Sequence, residues 1–148
     1  MLAFGFGSGL SPWAPGTFGT LAAIPFYLLL RELPLVPYLA IVVFCFFAGC
    51  WFCTRASEFL QVHDHSGIVW DEIVGYWLTM VLAPPQWWWI IIGFVLFRIF
   101  DIVKPWPVSW ADKRVHGGVG IMLDDVLAAV YALVVLQTTA WLLQGFSA

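Results

Sequence analysis

The chain has 148 residues, of which 62% are hydrophobic and only 10% are charged, and its formal net charge at pH 7 is −3. Soluble domains contain about 45–50% apolar residues, so these charges are too few to solvate a globule of this size. The small net charge also excludes the basic footprint of a nucleic-acid-binding protein. The composition predicts a single membrane-embedded domain over residues 1–148, in contact with the lipid bilayer.

The first apolar segment is short. Residues 5–20 are rich in Gly, Ser, Thr and Pro, so we expect irregular backbone up to Gly16. A helix is predicted from near Thr17, whose hydroxyl can cap it, to about Leu30. Such a helix spans roughly 21 Å, against about 30 Å for the hydrocarbon core of a bilayer. The segment is therefore expected to be tilted, half-buried or re-entrant.

Four longer apolar segments follow, separated by short polar loops. They cover about residues 36–53, 68–83, 87–103 and 123–143. The pair Pro84 and Pro85 ends the second of these four. The fold predicted is all-α: a polytopic helical membrane protein with four or five membrane segments.

The basic residues orient these segments. If all five apolar segments cross the membrane, one of its faces carries residues 1–17, 54–67 and 104–122. Basic residues concentrate on or just inside that face, and only Arg31 lies at the other. The positive-inside rule then makes the first face cytoplasmic. The residues on this side are Arg55, Arg98, Lys104, Lys113 and Arg114.

The stretch His63–Glu72, reading HDHSGIVWDE, places two histidines and three carboxylates between apolar segments. Asp71 and Glu72 stand inside an apolar run, where an ionised carboxylate costs about 2.5–3.5 kcal/mol on membrane-insertion scales and by default marks a functional site. The alternative is that both lie at the membrane interface and interact with the positive N-terminal end of a helix.

Three further carboxylates stand near the same face. Asp101 follows Arg98 at helical i, i+3 spacing, which predicts an ion pair that is either structural or part of a site. Lys104, one turn further on, is placed to contact a phosphate. Asp124 and Asp125 are expected to begin the last helix, where one of them can be a cap. Two adjacent carboxylates better fit coordination of a hard cation such as Mg²⁺.

The remaining polar groups do not indicate a single role. His63, Asp64, His65 and His116 are either solvated loop residues or groups that bind phosphate and transfer protons near neutral pH. The Gly-rich N-terminal stretch lacks the P-loop pattern. Its backbone amides and Thr17 can still contact a phosphate, although a flexible lead-in explains the composition equally well.

Three stretches together resemble one known family. They read SGLSPWAPGTFGTLAAIP, HDHSGIVWDEIVG and FRIFDIVKPWPVSWADKRVHGGVGIMLDDVLAA, and the similarity covers about residues 4–130. They are similar to the A-type phosphatidylglycerophosphatases. The resemblance implies a Mg²⁺-dependent lipid phosphatase of the bacterial inner membrane. Such an enzyme acts at the cytoplasmic leaflet and converts phosphatidylglycerophosphate to phosphatidylglycerol in phospholipid biosynthesis.

The residues and the resemblance combine into one mechanistic hypothesis, in which a metal-activated water attacks the terminal phosphate. In this hypothesis Asp71 and Asp125 are catalytic residues, and His116 or His65 transfers protons. The substrate phosphate is bound by Thr17, Arg98, Lys104 and His63. Mg²⁺ is held by carboxylates drawn from Asp71, Glu72, Asp101, Asp124 and Asp125.

Two other functions stay open at this point. A small ion-coupled transporter also needs carboxylates inside the membrane. A metal-dependent phosphatase acting on another lipid headgroup would use the same groups.

Overall fold

The computed structural model describes residues 2–61 and 65–145, and in these ranges it contains helices and no β-strand. After 3₁₀ turns over Leu2–Leu10, the α-helices are α1 Pro15–Leu30, α2 Leu35–Leu60, α3 Trp70–Thr79, α4 Trp88–Val103, α5 Val108–Arg114 and α6 Gly117–Gly145. The all-α prediction is confirmed.

Helix α6 is the centre of the bundle, since it packs against α2, α3, α4 and α5. Its buried face carries small side chains: Ala128, Ala129 and Ala132 are each fully buried. Small residues let neighbouring backbones approach closely, which is how helices associate in an apolar environment.

Helix α3 is a short buried element. Its 10 residues span roughly 15 Å, which is too short to cross a bilayer alone. Side-chain hydrogen bonds tie it to its neighbours. Trp70 Nε1 donates to the Cys45 carbonyl of α2 at 3.0 Å, and Trp77 Nε1 donates to the Ala23 carbonyl of α1 at 3.0 Å. Tyr38 of α2 donates to the Trp77 carbonyl at 2.6 Å. The segment predicted over 68–83 is therefore a shorter helix followed by a turn.

Two helices are long and apolar enough to cross a membrane, by length and composition: Leu35–Leu60 and Gly117–Leu143. Helix α2 exposes large apolar side chains such as Phe44 and Phe47, which are 71% and 66% exposed. Large exposed apolar surfaces of this kind suit contact with lipid. Helices α1 and α4 have 16 residues each. The count of four or five crossings stays a prediction.

Helix α1 begins earlier than predicted. Its first residue is Pro15 and its N-cap is Ala14, which makes no side-chain capping bond. The Thr17 backbone N–H donates to the Ala14 carbonyl at 2.9 Å, so Thr17 already lies in the first turn. The prediction that Thr17 caps this helix is wrong. Proline is favoured at the first helical position because its φ is already helical and its missing N–H would have no helical acceptor.

Helix α6 also begins earlier, at Gly117 rather than near residue 123, and α5 forms within the predicted loop. The Gly118 N–H donates to Thr54 Oγ1 of α2 at 3.1 Å. A Cβ at Gly118 would collide with the Cys50 carbonyl, so glycine is required for this close approach. Asp124 and Asp125 consequently lie about two turns inside α6. The expectation that they begin this helix is wrong.

Replacing Gly118 by alanine is expected to separate the start of α6 from α2 and to lower the free energy of unfolding by about 1–3 kcal/mol. The measurement is thermal unfolding of the detergent-purified protein. The control is Val119→Ala, at the neighbouring residue, which is 50% exposed and expected to change little. Equal effects of the two substitutions would contradict the close contact.

Candidate active site

One cavity of about 230 Å³ gathers polar groups from four helices. It is bounded by the start of α1, the residues before α3, the first turn of α3, the end of α4 and the third turn of α6. All five carboxylates predicted to hold metal line this cavity, together with two cations. Its charged residues are Asp71, Glu72, Arg98, Asp101, Lys104, Asp124 and Asp125.

Arg98 joins two of these carboxylates. Its Nη1 lies 2.8 Å from Asp101 Oδ2 on the same helix, which confirms the predicted i, i+3 ion pair. The same atom lies 3.5 Å from Glu72 Oε1 of α3. The three side chains are only 12–15% exposed, so water screens these charges weakly. Arg98 thus fixes the end of α4 against the start of α3.

Lys104 makes the second charged link. Its Nζ donates to Asp112 Oδ1 of α5 at 2.6 Å and to Asp124 Oδ2 of α6 at 2.7 Å. Burial lowers the pKa of Lys104, but hydrogen bonds and charge from Asp112 and Asp124 outweigh it, so the net pKa is raised. Lys104 therefore stays charged at neutral pH and connects α4, α5 and α6.

The backbone of Lys104 is strained. It adopts φ +45° at the end of α4, in the left-handed region that side-chain-bearing residues rarely occupy. Ala14, which also lines the cavity, has φ +45° as well. Such strained positions concentrate at functional sites, where surrounding contacts hold them.

The cavity keeps an excess of negative charge, since five carboxylates face two cations. Asp124 Oδ1 and Asp125 Oδ2 are buried and have no hydrogen-bond partner among the residues that the structure describes. Buried carboxylate oxygens without donors are destabilising unless a cation or proton compensates them. Hard divalent cations prefer such oxygens. The donor chemistry therefore fits Mg²⁺. In the described residues, however, no three His, Cys, Asp or Glu side chains already converge as a complete ligand set.

The N-terminal end of α3 acts on the same carboxylates. Asp71 and Glu72 occupy its first turn, where the helix dipole favours negative charge. Both side chains also line the cavity. Their place in the first turn agrees with the helix-end interpretation, and the site role stays a prediction.

Glycines on α1 bring its backbone against Glu72. A Cβ at Gly16 would collide with Glu72 Oε1 and stand 3.0 Å from the Arg98 guanidinium. At Gly19, a Cβ would stand 3.2 Å from Glu72 Oε2. These side-chain-free positions leave room for the charged groups next to the start of α1.

Other predicted residues lie outside the cavity lining. His65 Nδ1 accepts a hydrogen bond from the Gly67 N–H at 3.0 Å, and its ring packs against Phe4. His116 is exposed just before α6, and Thr17 is half-buried in the first turn of α1. His63, like Asp64, lies outside the described residues. The roles of these side chains stay predictions.

Asp112 was not predicted. It lies in α5, a helix formed by residues that were predicted to be a loop, and it positions Lys104 from outside the cavity. The signals were present: Pro107 precedes the segment, and Lys113 and Arg114 close it, as expected of a short helix.

The bundle and its cavity together define a class. It is the class of helical proteins that expose many large apolar side chains and have, at one end, an acidic cavity that Arg98 and Lys104 also line.

Comparison with known proteins names the family within this class. The family described as phosphatidylglycerophosphatase A matches residues 1–140. A relative named phosphatidylglycerophosphatase A from Escherichia coli K12 is 50% identical over 131 residues, which is 88% of this chain and 76% of that protein. One with the same name from Haemophilus influenzae is 47% identical over 137 residues, covering 91% and 84%.

A third relative, from Bacteroides thetaiotaomicron, is provisionally named a phosphatidylinositol-3-phosphatase. It is 42% identical over 151 residues, covering 97% of this chain and 94% of that protein. No solved structure matches the chain significantly. The chain belongs to the phosphatidylglycerophosphatase A family, whose members are phosphatases.

Replacing Arg98 by glutamine is expected to destabilise the fold by about 3 kcal/mol, because Glu72 and Asp101 lose their buried cation. The measurement is thermal unfolding in detergent without divalent cations. Arg55→Gln is the matched control, because Arg55 and its partner Glu58 are 68% and 61% exposed and such pairs contribute less than about 1 kcal/mol. A loss no greater than in the control would contradict a structural role for the Arg98 pairs.

Proposed function

We propose that this protein is a Mg²⁺-dependent lipid phosphatase that hydrolyses the terminal phosphate of phosphatidylglycerophosphate to give phosphatidylglycerol. The observation that carries the proposal is the single cavity in which all five predicted carboxylates meet two cations. Membership of the phosphatidylglycerophosphatase A family supports the choice of substrate.

The metal would be held by carboxylates of α6 and α3. Asp124 Oδ1 and Asp125 Oδ2 are the first candidates, because both are buried and accept no hydrogen bond from residues 2–61 or 65–145. Asp71 lines the same cavity from the first turn of α3, while Glu72 and Asp101 already pair with Arg98. Bound Mg²⁺ would neutralise charge on the transferred phosphoryl group and make a water molecule more acidic.

Cationic and backbone groups would bind the phosphate. Arg98 has five N–H donors and Lys104 has three, so each keeps donors beyond its carboxylate partners. The start of α1, where Gly16 lines the cavity, adds the positive N-terminal end of a helix. Thr17, in the same turn, is close enough along the chain to assist.

The reaction needs a proton acceptor for the attacking water. A water oxygen forms a bond to phosphorus while the bond from phosphorus to the glycerol oxygen breaks, and that oxygen takes up a proton. Asp71 and Asp125 are the proposed acceptors, since they line the cavity. His65 and His116 lie outside the lining, so in this proposal they exchange protons with the cavity through solvent.

The proposed location is the bacterial inner membrane, with several crossings and the cavity at the cytoplasmic face. Arg98 and Lys104 line the cavity, and Lys113 and Arg114 end α5 on the connection between α4 and α6. Arg31 lies at the other end of α1. Basic residues favour the cytoplasmic side of a membrane protein, which supports this orientation.

A second candidate substrate is a phosphomonoester on another lipid headgroup. The observation that favours it is the 42% identity to the Bacteroides relative provisionally named a phosphatidylinositol-3-phosphatase. A transporter is less well supported, because the five predicted carboxylates lie together in one cavity at one end of α1 and α3 rather than along a path.

Purified protein is expected to release phosphate from phosphatidylglycerophosphate in detergent micelles with Mg²⁺, and to stop when EDTA removes the metal. The parallel substrate is phosphatidylinositol-3-phosphate, compared by kcat/KM. No release from either lipid, with Mg²⁺ present, would refute the proposed function. A higher kcat/KM for the inositol lipid would reassign the substrate.

Asp125→Asn is expected to lower kcat by at least about 100-fold, because it removes a proposed metal ligand and proton acceptor. The unfolding temperature should be unchanged or raised, because the substitution removes a buried charge from an acidic cluster. Glu58→Gln is the matched control, since Glu58 is an exposed carboxylate paired with Arg55 outside the cavity. Near-normal phosphate release by Asp125→Asn would remove Asp125 from the mechanism.

A further inference from the structure

A second cavity, of about 240 Å³, lies at the opposite end of the bundle. Its walls come from the end of α1, the start of α2 and the turn after α3. Gly16 and Arg31 line the two different cavities and are 15 positions apart on α1, which corresponds to roughly 22 Å. The second cavity is therefore separate from the carboxylate site.

Arg31 supplies a cation to this cavity. Its Nη2 donates to the Pro85 carbonyl at 3.3 Å, which holds the guanidinium beside the turn after α3. Its Nε lies 3.4 Å from Glu32, whose side chain is 77% exposed. Such an exposed pair is weak. Most of the five guanidinium donors thus remain available to a ligand.

Tyr27 supplies a hydroxyl. It is only 3% exposed, and its ring packs edge-on against Tyr76 at 6.0 Å. Its hydroxyl makes no hydrogen bond to another residue in the described part of the chain. Tyr27 precedes Arg31 by one helical turn, so both side chains lie on the same face of α1 and line the cavity.

The cavity wall also contains backbone strain. Leu82 adopts φ +55° in the turn after α3, although it carries a branched side chain. This turn is held from α6, where Gln137 Nε2 donates to the Val81 carbonyl at 2.7 Å. Strained residues that are held by their surroundings are typical of ligand-binding positions.

We propose that this second cavity binds the phosphate of an anionic ligand through Arg31 and Tyr27. A cation and a hydroxyl donor together match the oxygens of a phosphate. The rim is apolar, with Leu33, Leu35 and Leu82 exposed, and the bundle presents an apolar surface to its surroundings. A phospholipid headgroup in the leaflet at this end is the source that this setting favours. Free phosphate has the same chemistry and is separated from it by experiment.

The test is thermal unfolding of the purified full chain in detergent with phosphatidylserine, phosphatidylcholine or inorganic phosphate. Phosphatidylserine carries a phosphodiester that a phosphomonoesterase does not hydrolyse. It is expected to raise the unfolding midpoint by about 3 °C. Arg31→Gln and Tyr27→Phe should lose most of this rise. The matched controls Arg55→Gln and Tyr131→Phe should keep it, because both residues lie outside the cavity.

An equal, Arg31-dependent rise with inorganic phosphate would identify the free anion as the ligand and overturn the lipid assignment. A rise that neither Arg31→Gln nor Tyr27→Phe reduces would overturn the site itself. Tyr27→Phe removes a single oxygen, so it decides the question even where Arg31→Gln folds poorly. Phosphate release by either variant should be unchanged, so failure of this proposal can be distinguished from failure of the proposed catalytic function.

Discussion

The structure depends on keeping charge inside an apolar helical bundle. Asp71, Asp124 and Asp125 are buried where water stabilises ionised groups poorly, so each needs a compensating charge or proton. Arg98 and Lys104 provide part of this compensation, and in doing so they connect α3, α4, α5 and α6. The connection that stabilises the fold and the proposed active site are therefore formed by the same side chains. These two cations leave negative charge uncompensated, and a bound divalent cation would balance it.

Packing brings the helices close enough for these contacts. Helix α3 is short and buried, and tryptophan and tyrosine hydrogen bonds attach it to α1 and α2. Glycines remove side chains where backbones approach: Gly16 next to Glu72, and Gly118 next to α2. The small buried face of α6 then lets α3 and α4 approach the same helix. The acidic cavity is the space left at one end of this arrangement.

Much of this arrangement was predictable from the sequence. Carboxylates are rare in the chain, so Asp71, Glu72 and Asp101 stood out against apolar surroundings, and the alternation of helices placed them on one face. The start of α6 was missed because glycines usually end helices, and the contact of Gly118 with α2 is tertiary. Because the predicted loop extended to residue 122, Asp124 and Asp125 were predicted to begin the last helix. The same loop prediction missed α5, which contains Asp112. Thr17 was assigned as a cap because hydroxyls favour that position, whereas Pro15 begins the helix. Pairing of Lys104 with two carboxylates depends on three helices meeting, which sequence spacing does not show.

The most direct test of this account is the binding of a divalent cation by the purified protein, followed by electron paramagnetic resonance with Mn²⁺ in place of Mg²⁺. We expect Mn²⁺ to bind to the wild-type protein and Mg²⁺ to displace it. Binding should be at least tenfold weaker in Asp124→Asn and Asp125→Asn variants that unfold at the normal temperature. Mn²⁺ binding that is absent in the wild-type protein, or unchanged in both variants, would contradict it.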